Sequence, residues 1–596
     1  MHGSLDLAII GNCQVAGLLD PVGSLVWACL PRPDGDPVFC SLLEPGHGGA
    51  PLGAFAIELL NQTTRQRSYV RNTAIVRTEL GDDSGGAARI TDFCPRFRRG
   101  GRMFRPMMFV RLVEPVRGRP RIRIRLEPCC DYGAATAEPI IGSHHLRFRS
   151  ADTPYRVTTD ASLAAIVESR SFVLDSPIAL LIGPDETVAE APLSLSRAML
   201  DATRHYWEDW VRALALPFDW QSAVIRAAIT LKLSTYEDTG AVLAALTTSI
   251  PEAPGTQRNW DYRYCWLRDS YFVIQALNRL GATRTMEGYL RYISNIVGHS
   301  LAEDLQPVYG ISGESRLEER EASALSGYRG MSPVRIGNEA YRQRQNDVYG
   351  ALVMAASQLF YDARLAVPGD EAQFVRLERL GDRAVAVAGT PDAGPWEIRG
   401  KTDIHSFSAV MCWAACERLA RIAQHLGLAE RAAGWRAHAL RLSERILTAA
   451  WSEQRQSLVG VYGGSLLDAT LLLWPDLGLL SGTDPRFLTT LTAIEQELRC
   501  GDLLFRYRVE DDFGAPKFAF TSCSFWYVNA LAAAGRVAEA RDVFERVLAR
   551  RNSVGLLSEH IDPATGEQWG NFPQTYCMVG VITSAIRLSR PWESAL

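Results

Sequence analysis

The sequence predicts a multidomain β + α chain: an N-terminal antiparallel β-sandwich followed by a toroid of paired helices. Up to about Pro192 the apolar segments are short, of strand length, and punctuated by Gly-Asp, Pro-Asp-Gly and Pro-Gly turns. Beyond Trp220 apolar positions recur near every 3.6 residues in twelve stretches. The 596 residues also exceed one ordinary domain of ~100 to 200. These observations divide the chain into a sandwich over 1–193, a helical linker over 194–220 and a helical domain over 221–596.

In the first part, Leu7–Ile10, Leu25–Trp27, Ala54–Ile57, Thr73–Arg77 and Met107–Leu112 have strand length. Arg121-Ile122-Arg123-Ile124-Arg125-Leu126 alternates strictly, which puts Ile, Ile and Leu on one face and Arg on the other, as in a half-buried antiparallel strand. Strands without intervening helices favour a sandwich over a βαβ sheet. The basic stretches Arg65–Arg71 and Arg96–Arg105 read as loops with a solvated face. From Ala191 the pattern turns helical, with Ser194 or Ser196 as a candidate cap and aromatics at helical intervals from His205 to Trp210.

The twelve helical stretches lie at about 222–236, 268–280, 283–297, 346–365, 370–388, 405–425, 428–450, 466–474, 485–499, 521–534, 536–550 and 573–589. Tight breaks such as Leu280-Gly281, Leu426-Gly427 and Ala534-Gly535 pair several of them into hairpins. Six hairpins suggest an inner and an outer ring, with stretches that are apolar nearly all round, such as 405–425 and 573–589, inside. The long connections Pro307–Gln345, Asp392–Asp403, Phe505–Phe520 and Ser553–Pro573 are rich in Gly, aromatics and charge, and would converge on the ring's mouth.

Composition narrows function. A formal net charge of −4 gives no basic field, which argues against nucleic acid or an anionic membrane as partner, and no run of ~20 apolar residues suggests a membrane span. The twelve cysteines show no paired Cys-x-x-Cys spacing, no His-rich ligand set is present, and no phosphate loop precedes a Lys-Ser/Thr. No metal or cofactor is implied. The start lacks a basic region before its short apolar run, so a cytoplasmic location is the expectation. The oligomeric state is not legible; a homo-oligomer is one option.

The stretch Arg258–Asp269, Arg-Asn-Trp-Asp-Tyr-Arg-Tyr-Cys-Trp-Leu-Arg-Asp, reads as the floor of a binding pocket. Trp260, Tyr262 and Trp266 offer flat apolar faces, while Asp261, Arg263, Arg268 and Asp269 offer charged hydrogen-bonding partners. A pyranose, with an apolar ring face and equatorial hydroxyls, fits that mixture. A structural ion-pair cluster at a helix start is the alternative.

Two further carboxyls stand out. Trp396-Glu397 lies between two glycines just before a helix, where an indole wall would favour the neutral acid, unless Arg399 faces it. A surface ion pair between Glu397 and Arg399 is the other reading. Glu559 follows an apolar run and precedes a Pro-Ala-Thr-Gly turn, with Trp569 downstream as a further aromatic for a sugar. One neutral and one ionised carboxyl across a sugar are what glycosidic cleavage requires. Glu510-Asp511-Asp512, after Arg506-Tyr507-Arg508, reads as a solvated or sugar-binding loop.

The ordered set Gly23-Ser24-Leu25-Val26-Trp27, Trp266-Leu267-Arg268-Asp269, Gly327-Tyr328-Arg329-Gly330, Asp347-Val348-Tyr349-Gly350, Trp396-Glu397, Phe525-Trp526 and Gly570-Asn571-Phe572-Pro573-Gln574 resembles glycoside hydrolase family 15. This glucoamylase family also contains bacterial trehalases and isomaltose- or dextran-cleaving glucosidases. The resemblance covers essentially the whole chain and implies a β-sandwich, a linker and an (α/α)6 barrel. It further implies inverting hydrolysis, with Glu397 as general acid and Glu559 as general base. Arg268 and Asp269 match the pair gripping the terminal glucose, and Arg506 another sugar-binding arginine. Two departures, Asn12 in Gly-Asn-Cys and Thr575-Tyr576-Cys577-Met578 where a Ser-His pair is common, leave the preferred linkage open.

The expectation is an exo-acting inverting α-glucoside hydrolase that releases β-glucose from non-reducing ends of small malto- or isomalto-oligosaccharides. Trehalose hydrolysis is the alternative. A non-catalytic carbohydrate-binding protein would not need both glutamates, and a phosphorylase would not need Glu559 as a base.

Overall fold

The computed structural model describes residues 4–44, 52–149, 153–300 and 304–595. Two antiparallel sheets build the first domain. One runs Ala8–Gly11, Ala16–Leu19, Leu25–Leu30, Phe55–Leu59, Arg121–Leu126 and Ser171–Val173, with Asp36–Phe39 beside Leu25–Leu30. The other runs Ile140–Ile141, His145–Phe148, Tyr155–Thr159, Ile178–Pro184, Phe109–Arg117, Ala87–Phe93, Val76–Asp82 and Gln62–Tyr69. Ala8, Ile10, Leu25, Phe55, Ile122 and Ile124 meet Val76, Ile90, Val113, Val157 and Leu180 in the core between them, which also takes in Ile166 of the short helix α1 (Leu163–Val167).

The first three strands of the first sheet are buried on their other face as well. Leu7, Ile9, Leu18 and Trp27 share a core with Val224, Ala227 and Leu231 of the helical domain, and the Trp27 indole donates to the Leu246 carbonyl at 2.7 Å. This explains why Ala8–Gly11 reads as an unbroken apolar run: both of its faces are covered. Arg121–Leu126 alternates because one of its faces meets solvent. The arginine stretches are not loops. Gln62–Tyr69 is a strand and Phe97–Phe104 a hairpin, and two of their guanidiniums are buried: Arg67 on Asp6 at 3.1 Å and Arg96 on Glu237 at 2.6 Å.

Helix α2 (Pro192–Arg212) begins with Pro at its first position and no side-chain cap. Ser196 therefore lies inside the helix, and neither it nor Ser194 is the cap. Leu193, Leu195, Met199 and Leu200 pack on the outer face of the second sheet, against Phe93, Val110 and Leu181.

The helical domain is a double ring. The helices are α3 (Gln221–Leu233), α4 (Leu267–Arg279), α5 (Thr283–Ser300), α6 (Val348–Tyr361), α7 (Glu371–Val387), α8 (Ser406–His425), α9 (Ala429–Ala449), α10 (Trp474–Leu477), α11 (Pro485–Glu497), α12 (Thr521–Ala533), α13 (Val537–Leu548) and α14 (Thr575–Leu588). Inside, α4 packs on α6, α6 on α8, α8 on α10 and the 3-10 turn Ala469–Leu473, that turn on α12, α12 on α14, and α14 back on α4. Helices α3, α5, α7, α9, α11 and α13 lie outside, as in an (α/α)6 barrel. α12 is buried on every face from Thr521 to Leu531, whereas α13 buries only the stripe Ala540, Val543, Phe544, Val547 and Leu548. The stretch predicted as one helix over 466–474 is instead the 3-10 turn followed by α10, because Pro475 has no N–H to continue a helix through it. Among the described residues no helix is long and apolar enough to cross a membrane.

Candidate active site

The four long connections meet at one end of the ring, around a pocket with two compartments. The inner one is lined by Trp266, Arg268, Asp269, Phe520, Trp526, Glu559, Gln574 and Tyr576, among others. The outer one is lined by Glu252, Arg258, Trp260, Asn338, Gln343, Arg399, Asp511, Asp512 and Phe513, among others. Tyr262, Trp396, Glu397 and Arg506 belong to both.

Glu397 sits on the loop between α7 and α8, which the paired bridge between Asp392 and Asp403 pinches shut. Its backbone takes the left-handed conformation at φ 59°, uncommon for a non-glycine residue and of the kind held where surrounding structure fixes it. Three donors converge on Oε1: the Trp266 indole at 2.6 Å, Arg268 at 3.3 Å and the Gln345 amide at 3.3 Å. The Gln343 amide holds the backbone carbonyl at 3.1 Å. Oε2 takes none of these hydrogen bonds. Arg399 does not face Glu397; it pairs with Glu319 at 2.6 Å and lies over the Trp260 ring.

Glu559 precedes the strand His560–Ile561, the middle of a small sheet with Ala519–Phe520 and Gln568–Trp569. Its carbonyl accepts from the first amide of α12, Thr521, at 2.8 Å, which anchors the residue to the inner ring. The side chain is 1% exposed and Oε1 has no hydrogen-bond partner. The Tyr262 hydroxyl faces it; burial, then Glu559, Glu252 and Glu397, pushes that phenol well above its ordinary range. Tyr262 therefore remains a neutral hydroxyl.

Arg268 and Asp269 open α4. Arg268 reaches Asp269 at 3.2 Å, Gln345 at 2.8 Å, Glu397 at 3.3 Å and Asp347 at 3.6 Å, so one guanidinium ties the Asp269 end of the pocket to Glu397. Burial pushes the Asp269 carboxyl up to about 6, with Arg268 opposing. Arg506 crosses from the other side and pairs with Glu252 at 3.0 Å, which also takes Arg258 at 2.8 Å. Burial alone would raise Glu252, but Arg506, His560 and Arg258 outweigh it and hold the carboxyl far below the usual range. Arg258 continues to Asp511 at 2.5 Å. Asp511 is thus a buried partner and not a solvated loop residue.

Of the predicted site residues, Trp260, Tyr262, Trp266, Arg268, Asp269, Trp396, Glu397, Arg506 and Glu559 line this pocket. Three others lie elsewhere. Trp569 turns to the far side of its strand, donates to Glu567 at 3.1 Å and packs against Tyr328. Asp261 and Arg263 form a fully buried pair at 2.7 Å that faces the sandwich, where Arg263 donates to the Gly35 carbonyl and to Tyr132. The segment is extended, so its side chains alternate: Trp260 and Tyr262 turn to the sugar pocket, Asp261 and Arg263 to the domain interface. Sequence reasoning missed Glu252, Gln343, Gln345, Asn338 and Tyr576. Gln343 and Gln345 end a connection already marked by its length, whereas Glu252 stands in Ile-Pro-Glu-Ala, which carries no signal.

Comparisons with known proteins follow the same outline. The family profile described as Glycosyl hydrolases family 15 matches residues 219–586, and one described as Trehalase-like, N-terminal matches residues 5–171. The chain is 33% identical to a trehalase of Mycolicibacterium smegmatis, over 99% of this chain and 92% of the relative. It is 32% identical to a trehalase of Thermoplasma volcanium, over 97% and 92%. A bacterial glucoamylase solved with acarbose superposes with a TM-score of 0.69 over 98% of this chain and 94% of that one; at 14% identity it bears on the fold alone. With the family profile spanning most of the chain and trehalases at 33% identity over nearly all of it, the protein belongs to glycosyl hydrolases family 15.

Proposed function

We propose that this glycoside hydrolase cleaves α,α-trehalose with inversion, with Glu397 as general acid and Glu559 as general base. The observation that carries the chemistry is that both carboxyls line the inner compartment, each held by different neighbours. All three side-chain donors to Glu397 meet Oε1, which leaves Oε2 to carry a proton to the glycosidic oxygen. Glu559 lines the same compartment with no arginine or lysine paired to it, and would take the proton of a water held there.

The glucose to be attacked would occupy the inner compartment, its far hydroxyls on Arg268 and Asp269 and its ring among Trp266, Trp396 and Trp526. The leaving glucose would occupy the outer compartment among Arg258, Arg399, Asp511 and Asn338, a polar lining suited to a ring with a full set of hydroxyls. Proton transfer from Glu397 to the bridging oxygen, with attack of water deprotonated by Glu559, completes the reaction. The choice of trehalose over the malto- and isomalto-oligosaccharides expected first rests on the full-length relatives named trehalase.

The test is glucose release by purified protein from trehalose, maltose, isomaltose, panose and soluble starch. Trehalose is expected to be turned over fastest; a preference for maltose or panose would return the reading to a glucoamylase-type specificity. Glu397→Gln and Glu559→Gln are each expected to lower turnover by ~100- to 10,000-fold with the fold intact. Activity above about a tenth of wild type in either variant would remove that residue from its role.

A further inference from the structure

His560 follows Glu559 in the strand but does not line the pocket. It is 1% exposed, and its ring lies edge-on to Phe520 at 4.9 Å between centroids. Nδ1 stands 3.5 Å from Glu559 Oε2, and Nε2 stands 3.7 Å from Glu252 Oε2. Neither nitrogen has a hydrogen-bond partner. The imidazole is therefore wedged between two buried carboxylates, one facing each ring nitrogen.

The surrounding charges are unequal without it. Glu252 and Asp511 are joined through Arg258, and Arg506 also pairs with Glu252, while the buried Glu559 stands outside that network. Both guanidiniums serve Glu252, and Arg258 also serves Asp511; neither reaches Glu559 within pairing distance. Tyr262 and the buried thiol of Cys577 are the other titratable groups facing Glu559, and both are held in their neutral forms by burial. An unpaired buried carboxylate is costly, and a proton on the remaining ring nitrogen would supply the missing cation. Space is reserved for the pair: Gly570, at φ +77°, passes so close that a Cβ would sit 2.8 Å from Glu559 and 3.1 Å from His560 Nδ1.

We propose that His560 works as an imidazolium that positions the general base: Nδ1–H steers Glu559 Oε2 and so sets the carboxylate's orientation toward the inner compartment, while Nε2–H ties the pair to Glu252. This rests on Glu559 being the base. His560 is a positioning residue, since it touches neither compartment.

The test is the pH dependence of kcat/KM for wild type and His560→Gln on whichever α-glucoside the wild type cleaves. Removing a cation within about 4 Å of the base is expected to move the low-pH limb upward by about one pH unit or more, with KM little changed. A variant that folds and keeps the wild-type limb, or that loses activity equally at every pH, would overturn the proposal. Nitrogen-15 NMR of histidine-labelled wild type does not depend on the variant folding. It should show one imidazole protonated on both nitrogens across the active pH range, absent from the variant if that can be made. A singly protonated ring at that position would sink the idea. Glu559→Gln separates the two readings: if it stays active, the base assignment fails, whereas a dead Glu559→Gln with an unshifted His560→Gln removes only the role of the histidine.

Discussion

A carboxylate at the closed end of a sugar pocket faces opposing demands, and Asp269 shows both. To accept hydrogen bonds from two hydroxyls it must be ionised, yet burial favours its proton and pushes it up to about 6, against Arg268. Affinity for glucose, measured by calorimetry between pH 5 and 8, should therefore fall as pH drops through about 6; a flat profile would take Asp269 out of the binding site. The stability consequence has the opposite direction. A carboxyl that binds its proton more tightly in the folded state than at its ordinary value near ~4 loses stability as pH rises through that window. Asp269→Asn should accordingly be more stable than wild type at pH 8, by on the order of 1 to 3 kcal/mol, with the gap closing toward pH 4, while glucose binding weakens. Asp269 and Arg268 were legible in the sequence because they stand beside aromatics at a helix start. Glu252 was not, since the partner that gives it meaning, Arg506, is 254 residues away. Trp569 misled for the converse reason: an aromatic in a polar loop looks like a sugar platform until strand alternation turns it away.

At the scale of elements, the helical period located the rings because burial follows it, as in the five-residue stripe of α13. It failed where backbone chemistry overrides it, at Pro475 and at the proline-started α2. What no periodicity reveals is how closely inner helices approach. Gly350 in α6 lies against α8 so tightly that a Cβ would fall 2.2 Å from the Met411 carbonyl oxygen, a backbone atom that cannot swing aside. Gly350→Ala must push α6 and α8 apart, and overpacking of this kind costs ~1 to 3 kcal/mol or more. Urea denaturation should show that loss. Since α6 also carries Asp347 at its start, beside Arg268, turnover should fall as well. A variant as stable as wild type would mean that the two helices can slide.

For the whole molecule, the decisive quantity is one that neither motif contains. Glu397 and Glu559 are 162 residues apart and belong to different sectors of the ring, so the mouth of the barrel sets the gap between them. That mouth is braced from outside: the sandwich's first sheet shares a core with α3, and Arg263, next to Tyr262 in the chain, is locked into the sandwich by Gly35 and Tyr132. A site in which water fits between base and anomeric carbon holds its carboxyls ~6.5 to 9.5 Å apart and inverts, whereas a gap of ~5 to 5.5 Å allows direct attack and retention. Product stereochemistry reports this gap without a bound ligand. Trehalose makes the reading unusually clean, because each molecule yields one glucose inverted at the attacked carbon and one that keeps its configuration. Proton NMR in the first minutes of hydrolysis should therefore show α- and β-glucose in equal amounts, drifting later by mutarotation. From any other α-glucoside that is cleaved, β-glucose should appear first. Initial release of α-glucose alone from either substrate would mean that a carboxylate attacks the sugar, and Glu559 would then be a nucleophile and not the base that activates water.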